Sequence, residues 1–88
     1  MAWRTPVTNR KDGQTQTTAT DFNRICENIN IAFGTNLKTN WTRDDIVDSD
    51  TWDEIINTVS VEDETISFKT DFANLNKIEA ATLKKHNE

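Results

Sequence analysis

The apolar residues of this chain fall into three short periodic stretches separated by polar connectors, and that pattern predicts helices. Phe22, Ile25, Cys26, Ile29 and Phe33 form one continuous stripe on a helix from about Thr20 to Phe33. Thr18 or Thr20 can cap its free first-turn N–H groups, Asp21 suits the positive end of its dipole, and Gly34 suits a left-handed C-terminal cap. Trp52, Ile55, Ile56 and Val59 repeat the helical spacing and predict a second, shorter helix from about Asp50 to Val59. Thr51 with Glu54 has the spacing of a capping box there, and Ser49 or Asp50 serves equally well as the cap. Phe72, Leu75, Ile78, Ala81 and Leu83 predict a last helix from Thr70 or Asp71 to Lys85. Asn76, Glu79 and Thr82 interrupt that stripe, so this helix is expected to be half covered or to present Leu83 to a partner.

The segments between are less regular. Residues 1–17 contain Pro6, Gly13 and a polar run, and read as an extended N-terminal arm ahead of a small helical domain, 18–88. Trp3 is out of place on a free arm, and is expected to dock on the helices or on a neighbouring chain. The connector Thr35–Val47 holds Leu37, Trp41 and Ile46 without helical spacing, and two or three of these should fold back over the core. Val61, Ile66 and Phe68 surround an acidic centre, Glu62-Asp63-Glu64, which suggests a turn, then a brief extended segment with room for a two-residue β bridge. The expected fold is mainly α: a small single domain of about three short amphipathic helices with an extended arm and at most a minor β bridge.

Eighty-eight residues, 34% of them apolar, make one domain with a thin core, although three Trp and four Phe thicken it. A core of that size leaves completion by a partner chain or a homo-oligomer open beside a lone monomer. The net charge of −5 argues against nucleic acid as a partner, because the ten basic residues are scattered among fifteen acids. Arg4, Arg10 and Lys11 give a mildly basic arm, and Lys77, Lys84 and Lys85 make the last helix basic near its end, where the dipole favours cations. No apolar run approaches the roughly 18 residues of a membrane span. The first residues lack the apolar core of a signal peptide, so the chain is expected to be made in a reducing cytoplasm. Cys26, the sole cysteine, reads as a small buried hydrophobe.

Candidate chemistry is sparse. The acids from Asp44 to Glu54 fail the calcium-loop pattern: counted from Asp48, the fifth position is Trp52 and the sixth Asp53 where glycine is required. They fit better as residues gathered at a helix N-terminus. No acid stands isolated in an apolar stretch, and the only histidine, His86, lies near a chain end where fraying is expected. The expectation is a non-enzymatic chain with no cofactor and no metal. Asparagines stand out instead: Asn23, Asn28 and Asn30 on the first helix, Asn74 and Asn76 on the last. Asparagine is a mediocre helix former. These five either bond to another backbone, tying a helix to an arm of their own or a neighbouring subunit, or form a solvated polar face.

One phrase recurs. Thr20-Asp21-Phe22-Asn23-Arg24-Ile25 is its clearest copy, Trp52-Asp53-Glu54-Ile55 a loose one, and Leu75-Asn76-Lys77-Ile78-Glu79 a close one. With Trp3, Thr5-Pro6, Asn28-Ile29, Asn40-Trp41-Thr42 and Asp45-Ile46, these motifs resemble a repeated module of small tail-region and baseplate-region proteins of bacteriophages and prophages of Gram-positive bacteria. In that group a Thr-Pro lead and a Trp-containing turn precede a helix of the form Asp-(Phe/Tyr)-Asn-Arg-Ile-(Glu)-x-Asn. Cys26 departs from the pattern, standing where glutamate is usual, and Trp52-Asp53-Glu54-Ile55 lacks the asparagine and the basic residue. The resemblance implies a virion structural or adaptor protein of the tail, baseplate or fibre-attachment region. It would act by packing against other phage structural proteins, with Trp3, Trp41, Asn23, Asn28 and Leu83 as candidate interaction residues. A small acidic regulator, or an assembly chaperone absent from the particle, is the alternative.

Overall fold

The computed structural model describes residues 3–11, 18–67 and 72–88. Its three helices are α1 (Ala19–Phe33), α2 (Ser49–Val59) and α3 (Phe72–His86), with no strand or bridge among the described residues. The chain is therefore mainly helical, as the spacing of its apolar residues predicts. The expected extended stretch after Val61 is replaced by turns that bring Ile66 into the core; Phe68, and the expected start of the last helix at Thr70 or Asp71, lie outside the described residues.

The helix ends follow local chemistry. Thr18, in an extended conformation, caps α1 by accepting the Asp21 N–H at 3.1 Å. Gly34 closes α1 at φ 71°, donating its N–H to the Asn30 carbonyl at 3.0 Å. The cap of α2 is Asp48, earlier than any residue expected for that role; its carboxylate accepts the Thr51 N–H at 2.8 Å. Thr51 and Glu54 thus lie inside the helix rather than forming a capping box. α3 continues to His86, whose ring meets the Trp3 ring at a tilt of 58° with centroids 3.7 Å apart.

The core is aliphatic, built from Ile25 and Ile29 of α1, Ile55, Ile56 and Val59 of α2, and Leu75 and Ile78 of α3. α1 packs chiefly against α3, and α2 lies across both. Leu37 and Trp41 of the connector fold back as expected, but Ile46 remains 89% exposed, because the turn at Thr42–Asp45 carries it outward. α3 is covered more fully than its interrupted stripe suggests: Asn74, Glu79 and Thr82 are all buried. Asn74 is engaged by Ser67, Glu79 by Arg24 and by Arg10 of the arm, and Thr82 donates to the Ile78 carbonyl of its own helix at 2.8 Å. With that arm laid against the helices, the radius of gyration is 11.9 Å, near the roughly 12 Å expected of a packed chain this long.

Candidate functional site

Each of the five asparagines on α1 and α3 holds both backbone polar atoms of a single residue in a non-helical segment. Asn28 accepts the Arg4 N–H at 3.1 Å and donates to the Arg4 carbonyl at 2.6 Å. Asn76 does the same to Arg10, at 3.1 Å in both directions. Asn23 holds Trp41 at 2.7 and 2.9 Å, Asn30 holds Leu37 at 2.8 and 3.0 Å, and Asn74 holds Ser67 at 2.9 and 2.8 Å. A carboxamide carries one carbonyl and one NH2, the same complement as a peptide unit. Each asparagine therefore stands in for the neighbouring strand of a sheet. At each held residue the backbone polar pair is thus satisfied without a strand beside it. The motif copies explain themselves: apolar-Asn-basic-Ile at 22–25 and 75–78 each contains a clamp, and the loose copy at 52–55, which lacks the asparagine, makes none.

A ring of four charges, with Arg10 and Glu79 buried and Asp21 and Arg24 partly exposed, sits beside the Arg10 clamp. Arg10, whose side chain is 0% exposed, reaches Asp21 at 2.8 Å and lies against Glu79. Arg24 closes the ring, 2.7 Å from Asp21 and 2.7 Å from Glu79, the latter only 2% exposed. Two guanidiniums face two carboxylates, so the ring is neutral, which is the condition under which charges tolerate burial. Arg10 also donates to the Val7 carbonyl at 2.8 Å. Burial works against its charge, but the bonds to Asp21 and Glu79 outweigh that and hold its pKa above the ordinary arginine value.

On another face, Phe22, Trp41 and Trp52 make a tilted aromatic cluster with centroids 5.3 to 5.6 Å apart. They wall a hollow of about 640 Å³ that Val47 and Leu75 complete. Trp41 is fixed in place: its indole N–H donates to the Lys38 carbonyl at 2.9 Å, and the Lys38 ammonium lies 4.5 Å from its ring centroid. Asp45 braces this turn, accepting from the Thr42 N–H at 2.9 Å and from Lys38 at 3.3 Å, and these bonds lower its pKa.

The five candidate interaction residues separate. Trp3 docks on its own α3 through His86. Asn23 and Asn28 have both amide atoms engaged by the backbone of their own chain, at Trp41 and Arg4. Trp41 lines the hollow, and Leu83 stands at the uncovered edge of α3, 36% exposed. Cys26 is wholly buried, and burial pushes its thiol up to about 12, which keeps it protonated and unreactive at neutral pH. Among the described residues, no group of three or more His, Cys, Asp or Glu is placed to hold a metal ion, and no helix is long and apolar enough to cross a membrane.

The charge ring escapes a sequence reading. Arg10 looks like one of three arm cations, and Glu79 like a polar break in a helix. The one available signal is that Glu79 falls on the same side of α3 as its apolar stripe, where an acid requires a partner. No protein-family model, no curated protein and no solved structure matches the chain.

Proposed function

We propose that this chain is a non-enzymatic structural or adaptor component of a bacteriophage or prophage particle, in the tail, baseplate or fibre-attachment region, working by protein–protein packing. The observation that carries this reading is where the chain uses its polar side chains. Five amides and four charges are engaged within the fold, holding non-helical segments on α1 and α3. What the described surface offers is a hollow walled by aromatic rings, suited to receiving an apolar side chain of another protein. A part braced in this way has a fixed shape to present, which suits assembly. The motifs shared with tail-region and baseplate-region proteins supply the particular setting, the virion.

Quantitative peptide mass spectrometry on purified particles beside the lysate that produced them tests this. The expected result is the chain at a fixed, multi-copy ratio to the tail proteins of the particle. Abundance in the lysate with absence from particles would overturn it, in favour of an assembly chaperone or a small acidic regulator.

A further inference from the structure

We propose that the arm-binding face of α1 and α3 is an exchangeable receptor, and that its second occupant is the N-terminal arm of another copy of this chain. The inference goes beyond the virion reading and does not depend on it.

Among the described residues, the arm is held by side chains of the helical body and pairs with no strand. From one end to the other its fixings are the Trp3–His86 ring contact, the Asn28 clamp on Arg4, the Arg4–Glu27 ion pair at 2.9 Å, the Asn76 clamp on Arg10, and the Arg10 guanidinium in the charge ring. All of these lie between residues 3–10 and the body. A second copy presenting the same arm would remake every one of them, so exchange exchanges equals for equals.

The face also demands an occupant of this chemistry. Without Arg10, the pocket formed by Asp21, Arg24 and Glu79 holds one excess buried negative charge, an expensive state. It therefore selects an extended segment that brings a guanidinium six residues after a clamped backbone position. Charge favours the meeting as well: the arm, residues 1–17, carries three of the ten basic residues and one of the fifteen acids, leaving seven against fourteen in the rest. Bodies repel bodies, while arms are drawn to any body, including a neighbour's. Tethering gives a chain's own arm an effective concentration on the order of millimolar. Exchange is therefore expected at comparable protein concentrations, or where assembly holds copies side by side.

The test uses two full-length single variants, Arg4→Cys and Glu27→Cys. Both positions keep the clamps, since Asn28 holds only the backbone of Arg4, and Cys26 is buried and will not compete. The two are mixed, concentrated towards millimolar, and treated with a short bis-maleimide. The expected result is a product joining position 4 of one chain to position 27 of the other, rising with concentration. It should fall at least about tenfold when Arg10→Ala is added to the Arg4→Cys chain, as befits losing a charged hydrogen-bond anchor. The double variant Arg4→Cys/Glu27→Cys calibrates the chemistry within one chain. Efficient intrachain product with no interchain product overturns exchange. Absence of product in the double variant overturns the docked arm, and the proposal with it.

Discussion

Asn76 grips Arg10 by both of its backbone polar atoms, at 3.1 Å each way, across 66 positions of sequence. Two hydrogen bonds of about 1 kcal/mol each set the scale. Asn76→Ala should therefore lower the unfolding free energy by about 2 kcal/mol, read by urea denaturation, and speed exchange of the Arg10 amide hydrogen. Asn76→Gln should not restore it, because one extra methylene moves the carboxamide out of register with the arm. If glutamine rescues fully, the clamp geometry is not what stabilises this position.

The charge ring predicts a strong non-additivity. Glu79→Leu alone leaves two guanidiniums sharing one carboxylate in the interior, and should cost about 3–5 kcal/mol. Arg10→Met alone leaves an unbalanced carboxylate and should cost a similar amount. Together they leave Arg24 and Asp21 as a neutral pair, 2.7 Å apart. The double variant should be more stable than the sum of the singles predicts by at least about 1 kcal/mol. Simple additivity would mean that the four groups do not act as a unit.

Cys26 ties stability to alkaline pH. Its pKa is raised from 9.0 in the unfolded chain to about 12 by burial. A raised value means that the contribution is fully present below the unfolded pKa and lost as pH rises towards the folded one. Across that window stability should fall by about 1.4 kcal/mol per pH unit, and Cys26→Ala should flatten the slope. At neutral pH, thiol labelling should proceed only as fast as the chain opens, and become rapid in denaturant.

Asp48 makes the opposite link at acid pH. Accepting the Thr51 N–H lowers its pKa below 3.8. The stabilisation is present above that value and lost as pH falls through the lower, folded one. Asp48→Ala should reduce the urea midpoint at neutral pH, Asp48→Asn much less, because asparagine also caps well. The gap between wild type and Asp48→Ala should close as pH drops below the carboxylate range; a gap that persists would place the effect of Asp48 elsewhere than in the cap.

What the sequence made legible follows from the range of the forces involved. α1 was readable because its stripe from Phe22 to Phe33, its Thr18 cap and its closing Gly34 are all local. α3 was half readable: Leu75 and Ile78 showed their face, but the burial of Asn74 and Glu79 depends on partners that periodicity does not register. The asparagines are visible in the sequence as a surplus on two helices, but their partners, backbone groups of the same chain, are set by the tertiary fold. Arg10 with Glu79 was hidden, since nothing local marks a salt bridge between an arm and a distant helix. Ile46 misled because an apolar residue without helical spacing gives no sign of which way its turn will point it.

The clamps also set which positions are free to drift. Each asparagine reads only the N–H and C=O of its partner, so as far as the clamp is concerned the side chains at 4, 10, 37, 41 and 67 are open to replacement, while the five asparagines are not. Descendants of this sequence should keep the amides on the helices and vary the residues they hold, wherever a ring or an ion pair does not intervene. One substitution is barred at all five held positions alike: proline, which has no N–H to offer.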